Sequence, residues 1–246
     1  MQLPQSVRNE KQLMDYLKHW KPDCKPGTVR NYANPGIGML GFITAKCLKK
    51  NFEQLMITTV IGPLGMTNTY ITVPESELSN YVQGYTDKDG PIRMTNAVLS
   101  SEAYGVKTTA SDMIRFMEAN MNMSKIDEKL QRAILDTHTG YFKTSAMTQD
   151  LIWEQYRIPV QQKDLLAGTS KSMVFETNAV TQINPPENPR TDVLINKTGS
   201  TAGFGTYVAF VPREQLAVVI LANKNYPNRD RVLVAQEIMK GLGGKF

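Results

Sequence analysis

Lys197-Thr198-Gly199 sets an ammonium, a hydroxyl and a residue without a Cβ in consecutive positions, and Ser200-Thr201 and Gly203-Phe204-Gly205 follow. On an edge strand such a run holds the cation and hydroxyl beside a cleft, while the glycine lets an extended substrate approach the backbone closely. That arrangement suits an anionic acyl compound. Lys-Thr-Gly is a short pattern, and an ordinary strand end would also account for it. A second run, Tyr32-Ala33-Asn34, supplies what the first lacks. A tyrosine acts as a general base only where cations lower its pKa or a lysine shares its proton. An asparagine amide can donate to an acyl side chain. Alone, Tyr-x-Asn is a core tyrosine beside a helix cap; with Lys-Thr-Gly downstream it acquires a chemical meaning.

Elements must bring these two runs together. From about Arg8 to Asp136 the apolar spacing is mostly helical, through Leu13, Met14 and Leu17, then Ile37, Leu40, Ile43 and Cys47, then Met113, Phe116 and Met117. This predicts a mostly helical lobe over residues 1–140. From about Leu194 the pattern turns to β: Gly205–Pro212 and Leu216–Ala222 flank a turn at Pro212-Arg213-Glu214-Gln215, an antiparallel hairpin. Helical spacing resumes over Asp230–Leu242 and ends among Gly241, Gly243 and Gly244. Ile183–Arg190, with Pro185, Pro186 and Pro189, is expected to be a linking loop, neither helix nor central strand. The expected fold class is α+β: the helical lobe and, over 141–246, an antiparallel sheet lobe flanked by helices, forming one structural unit with the site between them.

Composition narrows the remaining possibilities. The chain has 246 residues, 41% hydrophobic and 21% charged, enough for one large core. Its net charge of +5 comes from scattered Lys and Arg, the largest cluster being Lys46, Lys49 and Lys50, so no nucleic-acid partner is expected. No apolar run reaches the ~20 residues of a membrane span, and Met1 opens onto polar residues with no signal-peptide core. Two histidines and two cysteines offer no zinc site, and no metal or other cofactor is expected. A single bridge between Cys24 and Cys47 stays open. Gly36-x-Gly38-x-x-Gly41 matches the dinucleotide fingerprint, but Asn34-Pro35 stands where that fingerprint needs a strand, so helix packing is the simpler explanation.

The order of motifs then resembles one family. Tyr32-Ala33-Asn34, Ala103-Tyr104-Gly105-Val106-Lys107, Lys197-Thr198-Gly199-Ser200-Thr201-x-Gly203-Phe204-Gly205 and Leu221-Ala222-Asn223-Lys224-Asn225-Tyr226-Pro227-Asn228 stand in the register of class C serine β-lactamases, the cephalosporinases. The resemblance implies a β-lactamase/transpeptidase-like fold and β-lactam partners, with a periplasmic location for the full-length family. It implies Tyr32 and Lys197 as the catalytic proton-handling pair and Asn34 as the holder of the side-chain amide. Tyr104 would wall the site. Thr198 and Gly199 would bind substrate, and Ser200 would offer its backbone N–H to the oxyanion, its side chain being incidental. Asn228 and Arg231 would lie near the substrate carboxylate. Asn196 stands where the family commonly has histidine, a tuning change. The serious departure is that no serine is followed three residues later by lysine, the Ser-x-x-Lys spacing that sets an amine beside the nucleophile. The family carries that motif upstream, so the chain is expected to be truncated, to be inactive alone, and to need that segment. A D-alanyl-D-alanine peptidase or esterase of the same fold, and a non-catalytic binding protein, are the alternatives.

Overall fold

A computed structural model describes residues 3–245. Helix α1, Glu10–His19, is capped by Asn9, whose side chain accepts from the Gln12 N–H, with Glu10 in its first turn and Lys18 and His19 in its last. Strand β1, Val29–Arg30, leads through Tyr32 into α2, Asn34–Cys47; α3, Phe52–Met56, follows. The short strands β2, Gly84–Tyr85, and β3, Pro91–Ile92, form a separate two-stranded pair. Next come α4, Ser100–Ala103, α5, Ala110–Asn120, and α6, Glu128–Asp136, the last two capped by Thr109 and Asp127.

The main sheet begins with β4, Gly140–Lys143, β5, Thr148–Gln149, and β6, Glu154–Arg157. Helices α7, Gln162–Gly168, and α8, Lys171–Phe175, interrupt it. Strand β7, Asn178–Ala179, turns back to pair with β1, joining the Tyr32 region to the second half of the chain. Then β8, Thr181–Glu187, β9, Val193–Ser200, β10, Gly205–Val211, and β11, Leu216–Ala222, precede the closing helix α9, Asn228–Gly241. Seven strands form one antiparallel sheet in the order β11-β10-β9-β6-β5-β4-β8.

Both faces of that sheet are covered. On one, Tyr156, Leu194, Tyr207 and Val211 pack against Val232, Ala235 and Met239 of α9 and Leu165 of α7. On the other, Val193, Ile195, Val208 and Phe210 meet Met117 and Met121 together with Trp153. The period-two alternation of β9 and β10 is thus filled by apolar side chains on either side.

Three expectations need correction. Ile183–Arg190 is not a linking loop: most of it lies in β8, at the sheet edge, where proline's missing N–H costs no ladder bond. Strand β9 is not an edge strand, since β10 and β6 flank it; but β6 stops at Glu154, opposite Asn196, so Lys197–Ser200 pairs with β10 alone. The outcome for the motif is the one an edge would give, a free backbone rim beside the lysine. The third concerns α2, whose apolar stripe points outward, with Ile37, Leu40 and Ile43 exposed. Its buried residues are Pro35, Gly38 and Ala45. Cys24 and Cys47 are free and exposed.

The glycines explain why α2 turns that way. A Cβ on Gly38 would come within 2.7 Å of the Leu99 Cβ, and one on Gly41 within 2.9 Å of Glu102 and Phe52, so both glycines allow α4 to seat on α2. Gly36 faces only the Ala33 Cβ, at 3.8 Å. Gly38→Ala is therefore expected to lower the unfolding free energy by about 1–3 kcal/mol through overpacking, whereas Gly36→Ala gains about 1 kcal/mol from helix propensity. Urea titration of the two variants checks the contrast; equal effects would mean that packing does not select these glycines.

Candidate active site

Two stretches of chain meet at the Lys197 rim. Lys197, Thr198 and Gly199 occupy the half of β9 that β6 leaves free, in register with Val208, Tyr207 and Thr206 of β10. Tyr32 arrives from the loop that the β1/β7 pairing ties down. The Lys197 Nζ lies 5.1 Å from the centroid of the Tyr32 ring and donates to the Thr198 carbonyl at 2.9 Å. The Arg30 guanidinium faces the same ring at 5.7 Å. Two cations therefore attend one tyrosine.

Behind them is a buried carboxylate that sequence reasoning missed. The Glu154 side chain is 4% exposed; it accepts from Arg30 Nη2 at 3.1 Å and lies 3.9 Å from Lys197 Nζ. Arg30 also donates from Nε to Gln149 Oε1 at 2.7 Å and from Nη1 to the Met173 carbonyl. Asn196, directly opposite Glu154 in the ladder, is fully buried. Burial, reinforced by the Glu154 charge, holds the Tyr156 phenol well above its ordinary value. The available signal was a glutamate set between the aromatic residues Trp153 and Tyr156, where burial obliges a carboxylate to find a cation.

Arg231 is the other buried charge, 1% exposed. Its Nη1 donates to the Gly199 and Thr206 carbonyls at 2.7 and 2.8 Å; its Nη2 donates to Ser200 Oγ at 3.0 Å, to the Tyr226 carbonyl at 2.9 Å and to Asn228 Oδ1. The guanidinium thus braces the end of β9 from behind instead of presenting itself at the surface, and the Ser200 hydroxyl is one of its acceptors. Asn34, the first residue of α2, and Tyr104, which follows α4, line a cleft of about 520 Å³ with Pro35, Leu99 and Ala103. Lys197 and Thr198 are not among its walls. The structure therefore brings together Tyr32 with Lys197, Asn34 with Tyr104, and Asn228 with Arg231 and Ser200. Among the described residues no cluster of three or more His, Cys, Asp or Glu could hold a metal, and no helix is long and apolar enough to cross a membrane.

A seven-stranded antiparallel sheet sandwiched by helices, with helices beside the Lys-Thr-Gly rim, defines the β-lactamase/transpeptidase-like fold. The chain belongs to the beta-lactamase family, whose family model matches residues 2–242. It is 46% identical over 244 residues to a beta-lactamase of Lysobacter lactamgenus, covering 99% of this chain and 63% of that protein's length. Among solved structures it resembles a beta-lactamase/D-alanine carboxypeptidase from Pseudomonas syringae, at 48% identity and a TM-score of 0.95, covering 98% of this chain and 67% of that one. A class C beta-lactamase in complex with cefoxitin matches at 46% identity and a TM-score of 0.94, over 97% and 67% of the two chains.

Proposed function

We propose that this chain carries the substrate-binding and proton-handling part of a class C serine β-lactamase site. The observation that supports this most is the Lys197 ammonium 5.1 Å from the Tyr32 ring on the free rim of β9. In this reading Tyr32 is the general base and later the general acid of acyl transfer, with Lys197 sharing its proton. Gly199 and Thr198 receive the substrate along the rim. The Ser200 N–H donates to the oxyanion, a contact typically worth about 3 kcal/mol in the transition state. Asn34 and Tyr104, sharing one cleft, take the acyl side chain. Thr198 and Asn228 face the substrate carboxylate, with Arg231 acting through the strand end it braces.

The nucleophile is proposed to lie outside these residues, because no serine in the sequence has lysine three positions on. Loss of a nucleophile from such a unit costs a factor of about 10⁶ in kcat. The purified chain is expected to give no nitrocefin hydrolysis above buffer, and the chain extended with its upstream coding sequence to hydrolyse it. Turnover by the chain alone would overturn the assignment. A second reading, a D-alanyl-D-alanine carboxypeptidase, is favoured by the double designation of the Pseudomonas syringae protein. Release of D-alanine from an acyl-D-alanyl-D-alanine peptide, faster than nitrocefin hydrolysis by the same extended chain, would select it.

A further inference from the structure

Glu154 has two cations within 4 Å and bonds only one of them. A carboxylate buried to this degree requires a charge partner, and either cation could serve. Arg30 holds the position because its fork is fixed at three points: Gln149 at one nitrogen, the Met173 carbonyl at the second, Glu154 at the third. Lys197, with the Glu154 charge already paired to Arg30 through Oε1 while Oε2 accepts no hydrogen bond from a described residue, directs its ammonium to the Thr198 carbonyl and the Tyr32 ring. Its side chain is 26% exposed, against 11% for Arg30, so the lysine reaches the surface while the arginine stays behind it.

We propose that Arg30 is a positioning residue which, by occupying the buried Glu154 carboxylate, leaves the Lys197 ammonium facing Tyr32 and the rim. Without the guanidinium, Glu154 would draw the lysine inward. The shift is short, from 3.9 Å to hydrogen-bonding distance, and the flexible four-carbon stem permits it. Arg30 touches no reacting atom in this scheme; it acts through Glu154.

The proposal rests on Lys197 as a site cation, but its test uses no β-lactam. The 246-residue chain is treated with the N-hydroxysuccinimide ester of acetate, and acetylation of Lys197 is followed by peptide mass spectrometry against the exposed Lys163 of α7. In Arg30→Gln the Lys197 rate is expected to fall about tenfold, equivalent to ~1.4 kcal/mol of added ion pairing. In Arg30→Gln/Glu154→Gln it is expected to return to within about threefold of the parent, because the competing anion is gone. A merely structural arginine would loosen the site, raise the Lys197 rate and receive no correction from the second substitution; either result overturns the proposal. If Arg30→Gln fails to give a cooperative melt, Arg30→Lys decides: a single ammonium cannot hold the Gln149, Met173 and Glu154 acceptors together, so Lys197 is expected to slow several-fold, and an unchanged or faster Lys197 refutes the competition. A normal Lys197 response in a chain that, when extended, hydrolyses no β-lactam would refute the functional reading and leave this one standing.

Discussion

Asp150→Asn is expected to raise stability at pH 8 by about 5 kcal/mol relative to its effect at pH 4. Asp150 is 2% exposed and neither carboxyl oxygen accepts a hydrogen bond from any of the described residues. Burial, with the Glu187 charge adding to it, pushes the carboxyl from 3.8 up to about 8. The folded chain therefore keeps a proton that the unfolded chain releases between those values. Stability falls by about 1.4 kcal/mol per pH unit across that window, its contribution being full below pH 4 and lost above pH 8. His138 works in the opposite sense. It is 1% exposed among Trp153 and Phe210, with its Nε2 2.9 Å from Asn120 Oδ1, and burial pushes it from 6.5 down to about 4. Its contribution is full above pH 6.5 and lost as pH falls towards 4. Between pH 4 and 6.5 the two slopes cancel, so the parent is expected to be flat there from these groups and to weaken from pH 6.5 to 8. Asp150→Asn exposes the histidine slope: stability climbs by about 3 kcal/mol from pH 4 to 6.5 and then levels. Urea unfolding at half-unit pH intervals tests this, and parallel curves for parent and variant would refute the buried-proton account.

Arg231→Met is expected to cost about 3–5 kcal/mol, because it leaves several neutral acceptors around the buried guanidinium without a donor. Methionine matches the stem but abandons the Gly199, Thr206 and Tyr226 carbonyls. Each unmet buried acceptor costs about 1–3 kcal/mol. Arg231→Lys is expected to recover little, since one ammonium cannot span acceptors on β9, β10 and the Tyr226 loop. The loss has a place as well as a size. Amide exchange at Gly199, Ser200 and Thr201 is expected to speed up more than at Val193–Ile195, where β6 still pairs with β9. Uniform acceleration along β9 would show that Arg231 stabilises the whole sheet and does not fix the rim.

Where pattern is local, the sequence was sufficient. The β10/β11 hairpin was legible because two runs rich in Val, Ile, Tyr and Phe flank four turn-forming positions, and Gln215 adopts a left-handed φ of 51° to close it. The closing helix was legible for the same reason, whereas the Lys197 run was read as an edge strand although β9 lies inside the sheet. β8 was not, because proline content excludes a central strand without distinguishing an edge from a loop. The face of α2 was misjudged, since hydrophobic spacing assumes that large residues are buried, and here the small residues Gly38 and Gly41 face α4 so that it can approach. Arg30 and Glu154 were invisible as a pair: each is an ordinary charge in its own neighbourhood, and only the fold reveals that one neutralises the other across 124 positions.

That separation also imposes an order in time. A ribosome adding about 5–20 residues per second delivers Arg30 roughly 6–25 s before Glu154, and Lys197 later still. Until then Tyr32 and the start of α2 wait without the strands that hold them, and the rim is assembled only after Arg231, which braces it, has emerged.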